Sequence, residues 1–126
     1  MSINSPEAFC ASLWDWACLE GCFGGKIRPS DIDGCVERNG HFLFLETKLP
    51  EARVPMGQSI LLERLAKNPM NTVIFIWGKS GDPKKMKLIW RDTVKVEENA
   101  NIDKLRYWCR CWFKYANGPC PGDDET

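Results

Sequence analysis

The sequence predicts an α/β sandwich, a mixed central sheet of about four strands flanked by helices. Two strand-like runs meet at Asn39-Gly40, a dipeptide that favours a two-residue hairpin turn. Residues 72–77, Thr-Val-Ile-Phe-Ile-Trp, form an apolar run rich in β-branched side chains, as a buried strand requires. Before, between and after these runs, apolar residues recur at intervals of three and four, the period of a helix that buries one face. The order is therefore helix, strand, strand, helix, strand, strand, helix. A helix crossing between the second and third strands lets those two lie parallel, which makes the sheet mixed.

Each element has its own signal. Ser5-Pro6-Glu7 reads as an N-cap, a proline at the first helical position and an acid in the first turn. A helix is expected from there to Leu19 or Glu20, with Phe9, Leu13, Trp16 and Glu20 on its core-facing stripe. Glu20 at its end would meet the negative pole of the helix dipole and so asks for a nearby cation. Residues 21–29, with Gly24-Gly25, form a loop. The hairpin covers residues 31–48, and residues 49–57 carry two prolines and a glycine and should be irregular. A second helix is expected over residues 58–67, with Leu61, Leu62 and Leu65 on one face and Asn68-Pro69 as its stop. Gln58 lies on that face, three residues before Leu61. After the apolar strand, residues 78–83 are a loop and residues 85–91 a fourth strand. The last helix starts near Asn101 and places Ile102, Leu105, Cys109, Trp112 and Ala116 toward the core.

Composition sets the limits. A chain of 126 residues makes one domain, here residues 1–116, followed by a loose tail at 117–126. Acidic and basic residues balance at 17 each, so the whole molecule does not advertise nucleic-acid binding, but an acidic site with basic flanks gives the same sum. The start has no basic and apolar leader, and no stretch is apolar enough to span a membrane. The expected location is the cytoplasm, with the seven cysteines as reduced thiols. A single histidine argues against histidine-built metal sites and Ser-His-Asp hydrolysis, and His41 beside the turn is expected at the surface.

The turn fixes which side chains face each other. With Asn39-Gly40 at its tip, Arg38 pairs with His41, and counting outward places Asp33 opposite Glu46. Glu46 and Lys48 then share a face with Asp33, while Ile32, Val36, Leu43 and Leu45 make the apolar face. Facing carboxylates repel unless a cation lies between them. The residues therefore propose a divalent metal site with an ammonium group one side-chain step away. Asp31 shares that face and is a weaker alternative ligand, since the same count puts it opposite Lys48. The plainer alternative is a solvated acidic face on which Lys48 pairs with Asp31.

Asp31-Ile32-Asp33-Gly34 followed by Glu46-Thr47-Lys48 and then Gln58 at a helix start resembles the PD-(D/E)XK nuclease superfamily. The likeness covers about the first 90 residues. It implies a restriction-endonuclease-like fold and Mg²⁺- or Mn²⁺-dependent hydrolysis of DNA, with Asp33 and Glu46 as metal ligands. It also implies a ligand oxygen from the Thr47 backbone carbonyl and an acid from the first helix, for which Glu20 is the candidate. Lys48 would orient the attacking water or stabilise the transition state, and Gln58 would hold that water or a phosphate oxygen. No nucleotide cofactor is implied. Small stand-alone chains of this kind suit phage or mobile-element genes, placing the product in the host cytoplasm. Specificity would come from nucleic-acid structure, a homodimer or a partner.

Lys85, Lys87, Arg106 and Arg110 are candidate DNA contacts, although charged strand and helix faces are more often simply solvated. The competing functions are a non-catalytic binding module on the same fold, a nuclease acting on RNA, and a junction-specific dimeric endonuclease. Cys109 and Cys111, with Cys120 and either Cys18 or Cys22, would be a metal set only with unusual spacing, so structural thiols are the stronger reading.

Overall fold

The computed structural model describes residues 5–8 and 13–118. The chain divides into two compact units, Met1–Asp31 and Ile32–Thr126.

In the first unit the expected cap is present: the Ser5 hydroxyl accepts a hydrogen bond from the Ala8 N–H at 3.0 Å, and residues 6–8 are helical. Phe9, part of the expected stripe, lies outside the described residues. The helix does not continue to Glu20. Residues 13–15 are not helical, and Asp15 accepts from the Ala17 N–H at 3.0 Å to start a separate 3-10 turn, Trp16–Leu19. A short acid bonding to the backbone two residues on competes with helix propagation, which is why the predicted periodicity is interrupted there. Leu13 is exposed, and Glu20 caps the 3-10 turn instead of closing an α-helix. Trp16 donates to Asp31 at 3.4 Å, which holds the Asp31 carboxylate within this unit.

The second unit is an α/β arrangement with a five-stranded mixed sheet. Its strands are β1 (Gly34–Arg38), β2 (His41–Lys48), β3 (Asn71–Lys79), β4 (Asp82–Trp90) and β5 (Thr93–Glu97), in that spatial order. Helix α1 (Met56–Lys67) joins β2 to β3, and α2 (Ile102–Ala116) closes the described chain. The β2–β3 pair is parallel and the other three pairs are antiparallel, as the crossover helix predicts. Asn39 and Gly40 have φ of 53° and 83°, the two positive values a type I′ turn needs, and Arg38 pairs with His41.

The turn is also clasped from far along the chain. Asn39 donates through its amide to the Ala116 carbonyl at 3.1 Å, and Arg38 donates to the Asn117 side chain. Asn117, the first residue of the segment expected to be a loose tail, is therefore tied to the hairpin.

Side-chain alternation sends the two faces of the sheet to different helices. Leu43, Ile74, Ile76 and Met86 pack with Trp108 and Trp112 of α2. Val73, Phe75 and Ile89 pack with Leu62 and Ala66 of α1. Trp108 belongs to the α2 core although the predicted stripe omits it, and Ile102 is exposed. Leu43 and Leu45 join the α2 core as expected, whereas Ile32 and Val36 remain exposed near the β1 edge.

The predicted loop at residues 78–83 is mostly strand, because β3 runs to Lys79 and β4 begins at Asp82. A register shift at Trp77/Gly78 accommodates this tight hairpin. A Cβ at Gly78 would lie 2.8 Å from the Pro83 Cα and closer still to the Asp82 carbonyl oxygen, both backbone atoms that cannot step aside. Gly78→Ala should therefore cost about 1–3 kcal/mol of stability, read as a lower urea midpoint with an unchanged slope. An unaltered midpoint would show that the hairpin can relax.

No helix among the described residues is long and apolar enough to cross a membrane.

Candidate functional site

The candidate site forms where the end of β2 meets the first turn of α1. Glu46 is even-numbered on β2, so it points with Phe44 and Lys48 toward the α1 face, away from Leu43 and Leu45. It is 3% exposed, an unusual depth for a carboxylate. Gln58, third residue of α1, reaches it: the Gln58 amide donates to Glu46 Oε2. Lys48 Nζ lies 3.6 Å from the same oxygen. Glu46, Lys48 and Gln58, separated by up to 12 residues in sequence, thus form one cluster.

Asp33 joins them differently from the expected cross-strand pair. The ladder stops at Gly34, paired with Leu45, so neither Asp33 nor Asp31 is a ladder residue. Asp33 is exposed, and its Oδ2 accepts from the Thr47 N–H at 2.8 Å and the Thr47 hydroxyl at 3.0 Å. Thr47 therefore orients this acid, a role its position between Glu46 and Lys48 did not reveal. The only sequence hint is a hydroxyl residue within the Glu-x-Lys triplet.

The electrostatics are asymmetric. Burial raises the Glu46 carboxyl above its ordinary value, and the negative charge of Asp33 adds to the rise. Lys48, the Gln58 amide and a backbone hydrogen bond from Asp33 oppose it. Two buried oxygens of this network, Glu46 Oε1 and Gln58 Oε1, have no hydrogen-bond partner among the described residues. Unpaired buried acceptors are costly, so these two oxygens are suited to a cation or a donor-bearing ligand.

The donor set suits a hard divalent ion that keeps most of its water. Among the described residues no group of three or more His, Cys, Asp or Glu side chains is placed to hold a metal. Mg²⁺ needs only one or two carboxylates, with waters and phosphate oxygens filling the remaining positions, whereas a structural zinc site needs four protein ligands. Glu20 belongs to the first unit and is exposed.

The candidate nucleic-acid contacts separate into two groups. Register places Lys87 beside Phe75, itself beside Glu46, and Lys85 beside Trp77, itself beside Lys48. Lys85 and Lys87 therefore share the face of the cluster, about 10 Å away across two strand spacings. Lys85 is held over the Trp77 ring at 4.9 Å, and the Trp77 indole donates to the Ala52 carbonyl at 2.8 Å. Arg106 and Arg110 are exposed on α2, the helix that covers the opposite face, so they cannot share one strand of DNA contacts with Glu46. The four bases looked equivalent in the sequence because pattern alone does not say which side of the sheet each helix takes.

His41, expected at the surface, is half-buried against Tyr115. The five described cysteines Cys18, Cys22, Cys35, Cys109 and Cys111 are free, and Cys120 lies outside the described residues. Cys109 is half-buried against the core and Cys111 is exposed, as expected for residues two apart on a helix. Burial pushes the Cys109 thiol above its ordinary value, which suits a structural thiol.

No protein-family model, curated protein or solved structure matches this chain.

Proposed function

We propose that the second unit is a Mg²⁺- or Mn²⁺-dependent nuclease domain of restriction-endonuclease-like fold that hydrolyses DNA phosphodiester bonds. The carrying observation is the pair of unpartnered buried oxygens, Glu46 Oε1 and Gln58 Oε1, with the Lys48 ammonium and the Asp33 carboxylate around them. The mixed sheet, with antiparallel β1–β2, parallel β2–β3 and a helix on each face, supports the same reading.

Asp33 and Glu46 would hold the metal, which when bound supplies an activated water and polarises the phosphoryl oxygen. The chain's own residues then have distinct tasks. Thr47 fixes the Asp33 carboxylate through two donors, so one oxygen is oriented and the other is left available. Gln58 aligns Glu46 through one amide end and offers its carbonyl oxygen to a water or hydroxide. Lys48, half-buried beside Glu46, places positive charge where the phosphorane develops negative charge. Lys85 and Lys87, on the same face, attract the DNA backbone toward the cluster.

Incubation with linear and closed circular DNA in Mg²⁺, with and without EDTA, tests this reading. Cleavage should occur in Mg²⁺ and vanish with EDTA; nicking of the circle identifies endonuclease action, and attack on linear DNA alone identifies exonuclease action. Folded protein that binds DNA without cutting it in any divalent ion would leave the non-catalytic binding module as the function.

A further inference from the structure

The opposite side of the sheet carries a second, chemically different pocket. It has a volume of about 300 Å³ and lies between α2 and the β4–β5 part of the sheet. Trp90, Tyr107, Trp108, Trp112 and Tyr115 line it together with Lys95. The side chains are braced: Trp90 and Tyr115 pack edge to face at 5.9 Å, and Tyr115 packs against His41 at 4.9 Å. Its size is at the lower end for small-molecule sites, which suits one planar group and excludes a helix or a folded partner.

Three observations define that group. Aromatic walls favour a flat ring that can stack. The lining contains one ammonium group, Lys95, 5.6 Å from the Trp108 ring, and no carboxylate; Arg91 lies 4.8 Å from the outer Trp90 ring. An aromatic cage for a cation would lack that lysine, so the charge pattern selects an anion. Trp112, 5% exposed, adds a further aromatic wall, and its indole N–H has no partner among the described residues.

We propose that this pocket binds a nucleoside monophosphate, base stacked among the aromatic rings and phosphate on Lys95, either as a free nucleotide or as the end of a strand. The site is independent of the nuclease reading, since Glu46 and Lys48 lie on the other face of the sheet. It holds a ligand and supplies no cofactor for hydrolysis.

Calorimetric titration of the full chain with AMP and UMP, compared with adenosine, ribose 5-phosphate and choline, tests the proposal. Saturable mononucleotide binding is expected, with adenosine and ribose 5-phosphate each about tenfold weaker or worse and choline inert. Lys95→Glu and Tyr107→Ala, both at exposed positions, should each weaken AMP binding about tenfold or more. Lys48→Ala should leave it unchanged, which separates this site from the nuclease cluster. A short single-stranded oligonucleotide that displaces AMP would identify a strand end as the ligand, and failure to displace it would identify the free nucleotide; both outcomes require the saturable site. Absence of mononucleotide binding at millimolar concentration, preferential binding of choline, or affinity untouched by both pocket variants would overturn the proposal.

Discussion

Lys48→Ala is expected to slow Mg²⁺-dependent DNA cleavage by about 10²–10³-fold, a loss carried by kcat rather than KM. The side chain sits 3.6 Å from Glu46 and is only partly exposed, so its charge acts in a drier setting than a surface lysine's. DNA binding should change little, because Lys85 and Lys87 remain on the same face. The proposed Mg²⁺ ligands Asp33 and Glu46 also remain, so ion-induced thermal stabilisation should persist in the variant. Single-turnover kinetics with a labelled duplex read the first effect and melting curves with and without Mg²⁺ read the second. Full-rate cleavage by the variant would remove Lys48 from the chemistry and leave it as a structural partner of Glu46.

Replacement of Glu46 by Gln should have the largest combined effect: cleavage is abolished, while the ion-free protein becomes about 1 kcal/mol more stable at neutral pH. The substituted amide can still accept from Gln58 and carries no charge to bury. The sign of the pH dependence follows from the raised carboxyl. In the unfolded chain it titrates near its ordinary 4.5, and in the native state above that. Below both values the proton is bound in each state and no penalty exists. Between them the native state retains a proton that the unfolded state releases, so stability falls as pH rises, and above the native value the loss is complete. Parent protein without divalent ions should therefore lose stability over that interval, and Glu46→Gln should not. Mg²⁺ should restore the parent at neutral pH and have no effect on the variant. Urea titrations across pH measure this; parallel curves for the two proteins would mean that burial of Glu46 is not costly.

The hairpin was legible because Asn39-Gly40 demands positive φ at two adjacent residues, and few dipeptides tolerate that. From it, the face shared by Glu46 and Lys48 followed by alternation alone. The approach of Gln58 depended on the crossover helix landing over β2, which periodicity cannot specify; the family resemblance supplied that expectation. Strand β5 was not legible. Its five residues, Thr93 to Glu97, are joined to β4 by Arg91-Asp92, a turn without glycine in which Arg91 adopts a φ of 56°. Tertiary contacts hold that geometry: the Arg91 N–H donates to the Ala66 carbonyl at 2.8 Å, and its guanidinium rests on Trp90. The first helix failed for the opposite reason. A local side-chain hydrogen bond at Asp15 outweighed a periodic pattern that looked continuous.

The clasp between the Asn39-Gly40 turn and the end of α2 has a consequence for biosynthesis. Ribosomes deliver the hairpin early and its fastening 77 residues later, when Ala116 emerges. Nascent chains halted before that point carry every proposed reacting group but lack the brace that holds their supporting strands, so the proposed activity should arrive only once Ala116 is in place, later than its chemistry emerges.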